Sequence, residues 1–217
     1  KLQKQYKVLD LGSGLGGPAR FLAQNYGCQV SGLDLVTSYI EAANVLTKLT
    51  GLDDRVDFKQ GDMSAIPFEK DSFDCIWSQH TVMNVADKAA LAAEVKRVLK
   101  PGGKAAFYEI CSASGQPVHL PVAWASTPEH SHLCTADELR KVFSDSGLVP
   151  GVWEDLTRLS LDWMDGMVGD IKNRTPKTQA WPGLGLVMGE NAALKSRNLN
   201  RNLREGRIEV IRAVFTC

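Results

Sequence analysis

The sequence predicts an α/β fold, a doubly wound and mostly parallel sheet with crossover helices on both faces. Two observations carry that expectation. Short apolar runs alternate along the chain with stretches whose apolar residues recur at helical spacing, the pattern of consecutive βαβ units. The first apolar run passes directly into the glycine cluster Gly12 to Gly17 and then Pro18, the form of a strand turning tightly into a helix. At 217 residues the chain suits a single domain, 1–217, with a sizeable buried core.

The elements follow in order. Tyr6 to Leu11, Gln29 to Leu33, Val56 to Lys59, Phe73 to Ser78 and Gly103 to Ile110 are the expected strands. Pro18 opens the first helix and Gly27 stops it. Thr37 or Ser38 caps the second, whose expected apolar face is Ala42, Val45, Leu46 and Leu49. Asp87 opens a third, with Leu91, Val95, Val98 and Leu99 on one face until Lys100-Pro101-Gly102-Gly103 breaks it. Thr135 and Glu138 form a capping box for a fourth, which Gly147 ends. Residues 155–205 carry helical spacing at Leu161, Met164, Val168, Ile171, Leu199 and Leu203, interrupted by Thr175-Pro176 and Trp181-Pro182-Gly183. They are expected as a helical, lid-like insertion before a last strand, Ile208 to Phe215, pairing at a sheet edge. The chain begins without Met and enters its first strand within a few residues, so a longer polypeptide with an N-terminal segment is expected.

Composition excludes several classes. Hydrophobic residues make up 44% and charged residues 23%, which removes disordered and collagen-like chains. Lys and Arg number 25 against 25 Asp and Glu, so the basic footprint of a nucleic-acid or anionic-membrane binder is missing. No apolar run is long enough to span a bilayer and no signal-peptide core opens the chain, so the expected setting is cytoplasmic, as monomer or homodimer. Five cysteines without a C-x-x-C pair are expected as reduced, packed thiols.

The stretch Val8 to Pro18 carries the most chemistry. Glycines allow a ligand close to the backbone, and the following helix start offers unpaired N–H groups. Gly12, Gly14 and Gly17 also satisfy G-x-G-x-x-G, and Asp34 ends the second strand, where a carboxylate can accept ribose hydroxyls. Asp10, immediately before the glycines, would repel a pyrophosphate but attract the ammonium of an amino-acid moiety. Turn chemistry and helix capping are the alternative roles for Asp10 and Asp34. Asp62, after the third strand, can accept the adenine amine while Met63 packs on the ring.

The ordered set VLDLGSGLGG, Leu33-Asp34, Gly61-Asp62-Met63, FDCIWS and LKPGG resembles the class I S-adenosylmethionine-dependent methyltransferases over residues 6–110. The resemblance implies a Rossmann-like sheet of seven strands, the last antiparallel. It implies S-adenosyl-L-methionine as cofactor and S-adenosyl-L-homocysteine as product. Gly12, Ser13, Gly14 and Gly16 would then line its methionine and ribose portions, with Asp10 near the amino group. Asp34, with Leu35 beside it, would bind the ribose, Asp62 and Met63 the adenine, and Gln79 would face the methionine portion or the acceptor. The stretch LDLGSGLGGPARFLA is most similar to the sarcosine/dimethylglycine type and more loosely to the tocopherol and sterol type. The acceptor this implies is a small molecule, first a glycine- or sarcosine-like amine, alternatively a phenolic, quinone or sterol-like compound.

Methyl transfer from a sulfonium requires alignment and exclusion of water, and a base only when the acceptor must lose a proton. His80, just after the fourth strand, is the candidate base, titrating near neutral pH; a hydrogen-bonded loop histidine is the other reading. Glu109 is either an acceptor contact or a strand-end charge, and Asp74 a ligand contact or a structural partner for loop backbone. Trp124, Trp163, Trp181 and Met164, Met167, Met188 are either helix core or an apolar lid. His130 and His132 lie in a polar loop with Glu129, an H-x-H spacing that could serve a metal, but no complete ligand set is evident and no metal is expected. The run Ser78-Gln79-His80-Thr81 is not the Asn/Asp-Pro-Pro-Tyr/Phe motif of base-methylating enzymes. An NAD(P) oxidoreductase would share the glycine turn, but it lacks an evident Tyr-x-x-x-Lys and leaves Asp10 unexplained. A binding module that keeps the nucleoside pocket without catalysis is the third reading.

Overall fold

In the computed structural model, which describes residues 2–173, 188, 189 and 191–217, seven strands form one sheet. They are β1 (Lys7–Leu11), β2 (Gln29–Asp34), β3 (Val56–Gln60), β4 (Phe73–Gln79), β5 (Leu99–Ser112), β6 (Val149–Asp155) and β7 (Ile208–Thr216), in the order β3-β2-β1-β4-β5-β7-β6. The first five run parallel, and β7 is antiparallel to both neighbours. The strand order reverses between β1 and β4, which opens a crevice at their carboxyl ends, the place where open α/β sheets bind ligands. Val8, Leu9 and Leu11 are fully buried, as a central strand covered on both faces requires.

The helices are α1 (Gly17–Tyr26), α2 (Thr37–Leu49), α3 (Lys88–Val98), α4 (Ala136–Asp145), α5 (Thr157–Asn173) and α6 (Ala192–Arg204). Pro18 sits in the first turn of α1, and Gly27 ends it at φ 71°. Asp87 caps α3 by accepting the Ala90 N–H at 2.9 Å, and Thr135 and Glu138 form the capping box of α4. One core, including Leu9, Leu33, Phe143 and Phe215, lies on the α3/α4 side, and another, including Val8, Ala19, Leu22 and Val30, lies on the α1 side. A third cluster, Met83, Ile110, Leu203, Ile208 and Val210, holds α6 over the carboxyl end of β5.

Four expectations need correction. Ile208 to Phe215 does not lie at the sheet edge: Ala213 pairs with both Phe107 and Trp153, and the edge is β6. The buried set Ile208, Val210, Ile211, Ala213 and Phe215 covers both faces, which suits an interior position. β6 itself interrupts its apolar pattern with Pro150-Gly151 at a register shift, a feature tolerated on edge strands. On α2 the sheet-facing residues are Ile40, Ala43 and Thr47, while Val45 is 58% and Leu49 77% exposed. Thr37 and Ser38 do not cap α2; its N-cap is Val36, whose N–H is taken by the Asp34 carboxylate at 2.9 Å. The Lys100-Pro101-Gly102-Gly103 break belongs to the irregular start of β5, since α3 stops at Val98. The interruptions at Thr175-Pro176 and Trp181-Pro182-Gly183 lie outside the described residues, as does Trp181.

Candidate active site

At the carboxyl end of β1 the glycine turn is strapped to β2. Gly12 and Ser13 donate their N–H groups to the Leu33 carbonyl at 2.8 and 3.1 Å. Gly14 takes φ 51° and donates to Asp34 Oδ2 at 2.8 Å, and a Cβ built on it would meet no heavy atom within 4 Å. The turn is thus held open on its outer side, where backbone can meet a ligand. Gly12 is the opposite case, because a Cβ there would stand 2.2 Å from the Thr81 side chain. The glycine turn and the loop after β4 therefore touch.

Asp10 lies beneath this turn, 1% exposed, and accepts the N–H of Ala19 in the first turn of α1. Its Oδ2 and the Ser13 hydroxyl are buried without a hydrogen-bond partner. Burial raises the Asp10 pKa to about 7, only partly offset by the Ala19 N–H, with a small further rise from Asp34. A cation brought to the turn would stabilise the ionised form. Orphaned polar atoms of this kind fit the amino-acid portion of S-adenosylmethionine. Burial also means that Asp10 acts on a ligand through its field, not by open contact.

Asp34 ties together both sides of the crevice, its two oxygens accepting from Gly14 and Val36 and its carbonyl accepting the Gly61 N–H at 3.0 Å. Each carboxylate oxygen keeps a lone pair for a ribose hydroxyl. Leu35 next to it is 66% exposed, and Asp62 is exposed with Oδ1 on the Ser64 N–H at 2.7 Å. Met63 packs partly against the core. These residues line the two strand ends beside the glycine turn, as a nucleoside site requires.

The loop after β4 holds the other half. His80 has φ 55°, unusual for a residue with a Cβ, and its N–H bonds the Tyr108 carbonyl at 2.8 Å. Its ring lies 4.7 Å from that of Tyr108 and presents surface to a cavity. The protein packed around the imidazole lowers its pKa to about 4, so it is neutral at pH 7. The sequence alone suggests titration near neutral pH; the protein around the ring lowers the value, although the residue keeps an exposed surface on the cavity. Glu109, 1% exposed, is not an acceptor contact but a buried anchor for this loop. It accepts Ser78 Oγ at 2.9 Å and the N–H groups of Thr81 and Val82 at 2.9 and 3.1 Å. Desolvation raises its pKa to about 7 against these bonds. Asp74 is structural, bridging the Lys7 N–H and the Lys100 ammonium.

Gln79 and His80 open into a cavity of about 690 Å³ at the carboxyl ends of β4 and β5, flanked by residues of α5 and α6. Tyr108, Trp124, Trp163 and Met164 form much of its wall. Trp124 donates its indole N–H to Ser131 Oγ at 3.0 Å, and Tyr108 Oη lies 3.2 Å from Ser160 Oγ. A slightly larger groove, about 740 Å³, runs from Gln79 along Trp77 to Gly102 and Lys104. That groove descends toward the amino ends of β4 and β5, the wrong end of the sheet for ligand chemistry. Among the described residues no group of three or more His, Cys, Asp or Glu has metal-holding geometry.

Of the residues expected from the sequence, Asp10, Gly12, Ser13, Gly14 and Gly16 belong to the glycine turn and its underside, Asp34 is bonded to that turn through Gly14, and Asp62 and Gln79 stand at the ends of neighbouring strands. The sequence reading missed Tyr108 as a wall, the anchoring role of Glu109 and the packing of Thr81 on Gly12. Only the polar Ser-Gln-His-Thr run at a strand end hinted at them.

A seven-stranded sheet in this order, with a glycine turn, Asp34 at the end of β2 and a buried Asp10 beneath the turn, has the fold and the layout of the class I S-adenosylmethionine-dependent methyltransferases. In agreement, residues 9–107 match the family model described as "Methyltransferase domain". "Methyltransferase GfsG" of Streptomyces halstedii is 34% identical over 155 residues, which is 71% of this chain and 55% of that protein. A sarcosine/dimethylglycine N-methyltransferase of Halorhodospira halochloris is 34% identical over 150 residues, 69% of this chain and 54% of that protein. The chain spans about half the length of these relatives. The geranyl diphosphate C-methyltransferase structure from Streptomyces coelicolor A3(2) shares the fold, with a TM-score of 0.78 at 21% identity, covering 100% of this chain and 72% of that one.

Proposed function

We propose that this chain transfers the methyl group of S-adenosylmethionine to a small-molecule acceptor seated in the cavity under α5 and α6. The observation that carries the reading is the contact between its two halves. Thr81 packs on Gly12 of the cofactor turn, while the adjacent Gln79 and His80 line the cavity. When bound, the cofactor supplies an electrophilic methyl on a sulfonium. The residues suited to hold it are Gly14 and Asp34 for the ribose, Asp62, Met63 and Leu35 for the adenine, and Ser13, Gly16 and the field of Asp10 for the amino-acid end. Gln79 stands between the two ligands. Neutral His80 accepts a hydrogen bond and orients the acceptor. α5 and α6 act as a lid that excludes water, so alignment and desolvation supply most of the acceleration.

The free thiols at all five cysteines support a reducing, cytoplasmic setting, and the working unit is a monomer or homodimer. Among the described residues no helix is long and apolar enough to cross a membrane.

Calorimetry with S-adenosylmethionine, S-adenosylhomocysteine and NAD tests the cofactor, and transfer of a labelled methyl into an acceptor pool tests the reaction. Binding of NAD in place of S-adenosylmethionine would overturn the reading in favour of an oxidoreductase. Cofactor binding without any transfer would reduce the chain to a binding module.

A further inference from the structure

The acceptor cavity has a composition that bears on what can enter it. Its described wall contains no Lys, Arg, Asp or Glu. The polar groups are few, with Gln79, His80 and Asn84 gathered on the loop after β4 and Ser160 paired with Tyr108 across the wall. The remainder is aromatic, aliphatic or thioether. A carboxylate or phosphate taken into such a site would lose its hydration without meeting a cation among the described residues, and an ammonium would meet aromatic faces but no carboxylate there to replace its full hydration.

Size points the same way. A cavity of about 690 Å³ is in the range that encloses a drug-sized ligand, and a compound as small as sarcosine would leave most of it unfilled. The family match ends at residue 107, whereas Tyr108, Trp124, Trp163, Met164, Leu199 and Leu203 all lie beyond it.

Resting on the methyl-transfer reading, we infer that the acceptor is an uncharged, predominantly apolar small molecule. Its body lies against Trp124, Trp163 and Met164, and its one polar end meets Gln79, His80 and Asn84. Of the two acceptor classes open from the sequence, this selects the phenolic, quinone or sterol-like class over a sarcosine-like amino acid.

The test uses three probes substituted at the same carbon, naphthol, naphthoate and naphthylmethylammonium, titrated calorimetrically at pH 7 into protein saturated with S-adenosylhomocysteine. Naphthol should bind at least about tenfold tighter than either ion, because only the ions carry an uncompensated desolvation cost. Trp163→Ala, at a residue 63% exposed and so outside the folding core, should weaken naphthol by about threefold through loss of an aromatic wall. Leu159→Lys, also 63% exposed, should raise naphthoate affinity by about tenfold by supplying the missing cation. Equal or tighter binding of either ion in the parent, or failure of all three probes while S-adenosylhomocysteine binds, would overturn the inference. Failure of S-adenosylhomocysteine itself to bind would remove the methyl-transfer reading and this one with it, a result distinct from selective loss of naphthol.

Discussion

Glu109 reaches from β5 to the loop after β4 and accepts the backbone N–H of Thr81 at 2.9 Å. The same carboxylate takes Val82 N–H and Ser78 Oγ, and the Thr81 side chain packs on Gly12. One buried group thus sets a loop that carries Gln79 and His80 on its cavity side and abuts the cofactor turn on the other. Glu109 is a positioning residue.

Removing that anchor should be costly, and a near-isostere should largely restore it. Glu109→Ala leaves three donors without an acceptor, at about 1–3 kcal/mol for each that stays dry, so a loss of about 3 kcal/mol is expected in urea unfolding. Glu109→Gln keeps a carbonyl for the two N–H groups and turns its amide toward Ser78 Oγ, and should lose less than about 1.5 kcal/mol. The KM for acceptor should rise more in the Ala variant than in the Gln variant. Equal losses would show that the hydrogen bonds do not set the loop.

Stability should decline with rising pH. Asp10 and Glu109 have ordinary values of 3.8 and 4.5 and are raised by burial to about 7. The folded state therefore holds protons that the unfolded chain has released, so stability falls between about pH 4 and pH 7 and levels off above. Each group contributes on the order of 3–4 kcal/mol to that fall. Unfolding at pH 5 and pH 8 should show a smaller difference for Glu109→Gln than for the parent.

Cofactor affinity should rise over the same interval. The ligand ammonium favours ionised Asp10, whose pKa lies at about 7, so affinity for S-adenosylhomocysteine should climb from pH 5.5 toward 7.5, a window chosen to span that value. Asp10→Asn should flatten the climb and weaken binding by about tenfold at the upper end. A parallel pH slope in both proteins would remove Asp10 from the site.

The carboxylates of the nucleoside half should differ in weight. Asp34→Ala removes charge-assisted bonds to the ribose and the clasp on Gly14 and Val36, and should weaken cofactor binding by about 10- to 100-fold. Asp62→Asn, which keeps an acceptor for the Ser64 N–H, should cost less than Asp62→Ala. Calorimetric affinities unchanged by all three substitutions would place the nucleoside elsewhere.

His80 should not behave as a general base near neutral pH. With its pKa held to about 4, it is neutral through the usual assay range, and any limb it contributes lies near that value. His80→Ala should lower kcat by about tenfold, short of the roughly 10²- to 10⁴-fold typical of a lost base. A limb near pH 7 that vanishes in this variant, and does not move with the acceptor's own pKa, would reverse the assignment.

The glycine turn and the helix ends were legible before any coordinates because their signals are local. The turn from β1 into α1, the caps at Asp87 and Thr135 and the stop at Gly27 each depend on a few neighbouring residues. Asp34 ends an apolar run, so its place at a strand's carboxyl end follows from chain direction. The rest of the site depends on contacts between distant segments. Glu109 meets Ser78 across 31 positions and Tyr108 meets Ser160 across 52, and no periodicity in either segment marks the meeting. The neutrality of His80, the interior place of β7 and the inward turn of Ile40, Ala43 and Thr47 are likewise products of packing. Local propensity and turn chemistry are written residue by residue, whereas desolvation and cavity shape exist only once remote side chains close around the same space.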